Sequence, residues 1–110
     1  MQWKTVCKQA DLIPNVGVAA MFEGQQVAIF YMPKTEQKVF ALSNWDPFSK
    51  ANVLSRGLLG SVGETLVVAS PIYKQQFSLE TGQCLEEDLS INCWSAQLVD
   101  GEVQLGLNNN

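Results

Sequence analysis

Histidine is absent from these 110 residues. Its absence removes the commonest general base near neutral pH, the commonest nitrogen ligand for a metal, and every Ser-His or Cys-His nucleophile pair. Cysteine is scarce. Cys7, Cys84 and Cys93 make an odd set, and the nearest two have eight residues between them. Structural zinc needs Cys or His ligands in close pairs, and a secreted disulfide framework needs a dense, even set, so the spacing speaks against both. The three read as reduced thiols of a cytoplasmic protein, each a small buried hydrophobe. Positive charge is short as well. Seven Lys and Arg, no two adjacent, face eleven Asp and Glu, giving a net charge of −4 and a pI near 4.6. That balance speaks against nucleic acid, because phosphate binding needs clustered cations. No apolar run approaches the roughly 18 residues that suggest a membrane span. The opening "MQWKTVCKQADL" lacks the charged start, apolar stretch and small-residue cleavage site of a signal peptide.

What is present is core material. Hydrophobic residues are 46% and charged residues 16%, the balance of a folded chain with one core, so a single domain over 1–110 is expected. The apolar pattern is of strand length. "VAIFYM" (27–32), "VFALS" (39–43), "TLVVAS" (65–70), "FSL" (77–79), "WSAQLV" (94–99) and "EVQL" (102–105) are rich in β-branched and aromatic residues. Glu23-Gly24, Thr81-Gly82 and Asp100-Gly101 punctuate them as hairpin turns, and Asp-Gly suits a two-residue type I′ turn best. Helical signal is limited to single turns in "KQADLIP" (8–14) and "SKANVLS" (49–55). The pattern predicts an all-β fold: an antiparallel β-sandwich or small barrel with hairpins and two long loops. Those loops are 44–63 and 70–76, and the tail over about 106–110 is expected to fray.

Few side chains in the loops suit chemistry. Glu86, Glu87 and Asp88 cluster, but without the alternating ligands and central Gly of a calcium loop they read as a solvated acidic turn. As a surface, that patch would complement a basic partner. Asp46 lies between Trp45 and Pro47, where burial would raise its pKa, yet Asp before Pro more commonly starts a turn. Ser49, Ser55 and Ser70 have no base to activate them. "RGLLGSVG" matches neither phosphate-loop pattern and leads into a strand. The remaining candidate is surface recognition. Trp45, Phe48, Ile72 and Tyr73, flanked by Asp46, Lys50 and Lys74, are either interface anchors or plugs for the ends of the sheets.

The run "SPIYKQQFSLETGQCL", reached through a strand, a long loop and a strand, resembles the second ligand loop of Rieske iron–sulfur domains. That family places C-x-H in the first loop and C-P-x-H in the second, two Cys on one iron and two His on the other. Pro71, Phe77 and Thr81-Gly82 set the fit, which puts Ser70 and Tyr73 at the second pair of ligand positions. An ungapped fit back from Leu54 puts Pro47 and Ser49 at the first pair. None of the four is a Cys or His, so the resemblance implies a Rieske scaffold with no cluster and no metal.

"DLIPNVGVAA", "NWDPFS", "VLSRGLLG", "VASPIYKQQFSLETGQCLEED" and "DGEVQL" are similar, in order and spacing from Trp3 to Leu105, to one branch of that superfamily. This branch comprises the small subunits of bacterial NAD(P)H-dependent assimilatory nitrite reductases. The resemblance implies a non-catalytic, structural or regulatory subunit in the cytoplasm, with no cofactor and no small-molecule substrate of its own. It implies a large-subunit partner carrying FAD, iron–sulfur and siroheme, which reduces nitrite to ammonium. The expected docking face is Trp45, Asp46, Pro47 and Phe48 from one loop with Ile72, Tyr73 and Lys74 from the other. A Rieske-type [2Fe–2S] electron carrier and a free-standing β-sandwich binding module are the alternatives.

Overall fold

The apolar runs "VAIF" and "VFAL" are buried on every residue, because the two strands that carry them lie in the middle of the molecule. The computed structural model describes residues 2–107. Among these the strands, in chain order, are β1 (Gln2–Lys8), β2 (Gly17–Phe22), β3 (Gln25–Tyr31), β4 (Val39–Ser43), β5 (Trp45–Asp46) and β6 (Ala51–Asn52). There follow β7 (Leu58–Val62), β8 (Thr65–Ala69), β9 (Gln76–Ser78), β10 (Cys93–Trp94), β11 (Ala96–Val99) and β12 (Glu102–Leu107). They form sheets in the orders β10-β4-β3-β2, β1-β12-β11 and β7-β8-β9, with a short β5-β6 ladder. Among the described residues every pairing is antiparallel, and no sheet closes on itself.

Alternation along β3 and β4 sends side chains to two separate cores. Val27, Ile29, Val39 and Ala41 meet Val103 and Leu105 of β12 in one. Ala28, Phe30, Phe40 and Leu42 meet Leu54, Val68, Phe77, Leu79 and Cys84 in the other. A strand buried on both faces has no polar alternation, hence the unbroken apolar runs.

The second core carries the loops. β10 lies beside β4, with Cys93 opposite Leu42 and Trp94 opposite Ala41. Residues 44–92 therefore leave the middle sheet at the end of β4 and return next to it. This excursion contains β7-β8-β9 and both candidate loops. Gly57 lets it pack closely, since a Cβ there would meet the Ala69 carbonyl and the Val68 side chain.

Several expectations shift. The stretch 44–63 is not one irregular loop: it contains β5, β6, a 3₁₀ turn over Leu54–Arg56, and β7. β7 is mostly exposed, so its sequence carries little of the burial pattern that marks a strand. β1, mostly exposed as well, carries as little of that pattern. "WSAQLV" divides at Ser95, because β10 and β11 belong to different sheets. The C-terminal strand includes Gly106 and Leu107, which pair with Trp3 and Gln2 of β1. Residues 108–110 of the expected tail lie outside the described residues. Two of the three hairpins hold as read: Glu23-Gly24 (φ 51° and 79°) and Asp100-Gly101 (φ 51° and 78°) have the double positive φ of type I′ turns. At Thr81-Gly82 only Gly82 is left-handed (φ 79°), and it closes a longer turn through its N–H to the Ser78 carbonyl at 2.8 Å, leading to a single bridge between Phe77 and Cys84.

Candidate functional site: two loops joined by a buried carboxylate

The two loops repeat one another. Asp46-Pro47-Phe48-Ser49-Lys50 and Ser70-Pro71-Ile72-Tyr73-Lys74 each begin at the end of a strand. In each, the first side chain accepts the N–H two residues on: Phe48 to Asp46 Oδ1 at 2.9 Å, and Ile72 to Ser70 Oγ at 3.3 Å. These are Asx and Ser turns, which Pro at the next position favours by presetting φ. In each, the lysine N–H closes on the first residue's carbonyl, at 2.7 Å for Lys50 and 3.1 Å for Lys74. Both lysines occupy the left-handed region, at φ 57° and 69°.

One carboxylate joins the pair. Asp46 is 0% exposed, and its Oδ2 accepts the Ser49 hydroxyl at 2.9 Å and the Ser70 hydroxyl at 2.5 Å. A buried carboxylate without partners would be very costly, and charge-assisted donors offset that cost. The Asp46 carboxylate has three, one of them from the other loop. Asn44, also buried, anchors the first loop's base. Its Oδ1 accepts the Ser55 N–H at 2.7 Å, and its Nδ2 donates to Gln26 Oε1 at 2.9 Å. The sequence marks Asn44 only faintly, as a polar residue one place beyond the Ser43 that ends the apolar run of β4.

The expected docking residues divide. Trp45 (46% exposed), Ile72 (48%) and Tyr73 (59%) face solvent, as does Lys74. Pro47 and Phe48 are half-buried, and the Phe48 ring packs on Phe77 of the second core at 6.2 Å between centroids. Asp46 leaves the face altogether, because its carboxylate is committed to the loop bonds beneath it. Of the positions matched to cluster ligands, Ser49 and Ser70 converge on one oxygen, while Tyr73 points away from burial. It is Asp46, not Pro47, that meets Ser70 across the loops.

This donor set does not fit an iron–sulfur cluster. Hydroxyls, a prolyl ring and a phenol replace thiolate and imidazole, and the hydroxyls are spent on a carboxylate. Among the described residues no three His, Cys, Asp or Glu come together as a metal site. The thiols lie elsewhere. Cys84 is buried in the second core, and burial pushes the Cys7 and Cys93 thiols up, with Asp11 adding to the effect at Cys7. The acidic turn is exposed at Glu86, Glu87 and Asp88, and Glu86 accepts the Gln76 N–H at 2.9 Å, steadying the strand after the second loop.

Residues 2–106 match the Rieske-like [2Fe-2S] domain family, and the chain belongs to it. The match holds although neither loop carries a Cys or His. Within the family the chain belongs with the small subunits of nitrite reductase. It is 49% identical to the nitrite reductase (NADH) small subunit of Salmonella typhimurium over 105 residues, 94% of this chain and 96% of that one. The solution structure of the nitrite reductase [NAD(P)H] small subunit from Erwinia carotovora superposes with a TM-score of 0.80 at 42% identity, covering 98% of this chain and 83% of that one. A third relative is informative for a different reason. The nitrite reductase [NAD(P)H] large subunit of Klebsiella oxytoca matches 94% of this chain at 39% identity, within 11% of its own length. There the small module is part of the large polypeptide. No helix among the described residues is long and apolar enough to cross a membrane.

Proposed function

We propose that this chain is the non-catalytic small subunit of a cytoplasmic NAD(P)H-dependent nitrite reductase, which reduces nitrite to ammonium in nitrate assimilation. The observation that carries the reading is the Asp46 bridge: the loops that would hold a redox centre are tied to each other by side chains unfit to hold one. Electron transfer then belongs to the partner, with FAD, iron–sulfur and siroheme on the large subunit. The fused relative supports a lasting association, since a domain carried in one polypeptide works beside the rest of it.

The docking face is the pair of loop tips. Trp45, Ile72 and Tyr73 supply exposed apolar area, and Pro47, Phe48 and Lys74 border it. Aromatic anchors rimmed by polar groups are what interfaces concentrate their binding energy in. Asp46 serves from below rather than by contact.

Co-purification with the large subunit tests the assignment. Wild-type chain is expected to retain the large subunit, and the double variant Ile72→Ala with Tyr73→Ala to lose affinity by about tenfold or more, as truncated anchors do. Its unfolding temperature should stay unchanged, because both side chains are exposed. Undiminished binding and nitrite turnover in that variant would remove the loop face from the interface. Stoichiometric iron in freshly purified chain would overturn the cofactor-free reading and favour an electron carrier.

A further inference from the structure

We infer that the Asp46 carboxylate replaces a metal centre as the cross-link between the two loops, making their tips one preformed surface. The relevance of that surface to docking rests on the function proposed above; the cross-link itself does not. In a cluster-bearing member, bonds from both loops to the irons hold the loops together. Here a chain of hydrogen bonds links the two loops instead. The Ile72 N–H donates to Ser70 Oγ, the Ser70 hydroxyl donates to Asp46 Oδ2, and Oδ1 accepts the Phe48 N–H. Ser49 completes the set on Oδ2. The carboxylate thus reaches the backbone of both tips, directly at Phe48 and through one hydroxyl at Ile72.

Three features single this group out as a positioning device rather than a turn residue. An Asx turn needs only one oxygen, yet Oδ2 takes a donor from a loop 24 residues away. Asp46 is fully buried and Ser70 is 1% exposed, so water does not compete for the bond. The loops also share their closing geometry, each ending on a left-handed lysine, so the bridge joins equivalent points of two like turns. Preformed tips lose less freedom on association, which strengthens binding without any new contact.

Amide hydrogen exchange on the free chain tests the cross-link. Ser70→Ala removes only the second loop's hydroxyl. Exchange of the Phe48 and Lys50 N–H groups, in the first loop, is expected to quicken about tenfold, the scale set by losing one charge-assisted bond. Ser70→Thr keeps the hydroxyl and should keep the slow exchange. Val103→Ala, in the other core, is the stability control and should not single out those amides. Exchange at Phe48 and Lys50 that is unchanged in Ser70→Ala, or no faster than in Val103→Ala, overturns the inference. If Ser70→Ala fails to fold, Ser49→Ala keeps it testable: the cross-loop bond survives there, so Ile72 should stay protected, and loss of that protection overturns the inference. Because the measurement uses the chain alone, failed association with the large subunit would count against the proposed function and leave this result standing.

Discussion

Asn44 and Asp46, separated in the sequence by Trp45 alone, are both fully buried. Each uses its side chain to hold backbone that has no ladder to join. Asn44 fastens the returning 3₁₀ turn through the Ser55 N–H and the hairpin side through the exposed Gln26, so its removal leaves the half-buried Ser55 N–H without its partner. Asn44→Ala is expected to lower stability by about 1 kcal/mol or more, the scale of one lost hydrogen bond with a partly buried donor left over. A urea denaturation curve with a shifted midpoint and an unchanged slope would register it. The thiols contribute at this scale only by staying neutral. Burial raises Cys7 and Cys93, so the stability they add is present below their ordinary pKa and is lost as pH rises through the raised one.

Among elements, the turns bore the clearest marks in the sequence and the exposed strands the faintest. Asp100-Gly101 and Glu23-Gly24 could be read because left-handed backbone selects Gly chemically, wherever the turn sits. β1 and β7 could not, since their residues are mostly exposed and their strand character comes from pairing with β12 and β8. Two glycines separate local from tertiary constraint. Gly101 (φ 78°) has open space where a Cβ would go, whereas at Gly82 (φ 79°) a Cβ would meet the Ile91 carbonyl. Gly101→Ala should therefore cost only the left-handed strain, about 1–2 kcal/mol. Gly82→Ala should cost clearly more, because the segment at Ile91 has to move. Denaturation midpoints of the two variants, compared directly, give the size of that close approach.

For the molecule as a whole, β3 and β4 are the shared wall of two cores, and the loop-bearing excursion rests on one of them. Phe77 is fully buried beneath the loops, in contact distance of the Phe48 ring. Phe77→Ala is expected to lower stability by about 3–5 kcal/mol through cavity formation. Because the cores share their middle sheet, the loss should move one cooperative transition rather than detach the excursion. Coincident shifts in tryptophan fluorescence and far-ultraviolet circular dichroism check this, and separated transitions would show that the excursion unfolds by itself.

By itself the sequence determined the all-β class, most strand positions, two of the hairpin turns and the kinship with Rieske-like domains. These depend on local chemistry: β-branched runs, Gly at positive φ, and motif spacing. It also determined that His-based chemistry is impossible here. What only the tertiary structure decided was the role of each loop residue. "DPFS" and "SPIY" look alike as open turns, but a side chain's burial depends on what the rest of the chain places over it. Only in the fold do Asp46 and Ser70 meet, 24 residues apart in sequence, while Tyr73 three positions on is left in solvent. A hydrogen bond between loops has no periodicity to announce it, because it arises from the packing of the sheets that bring those loops together.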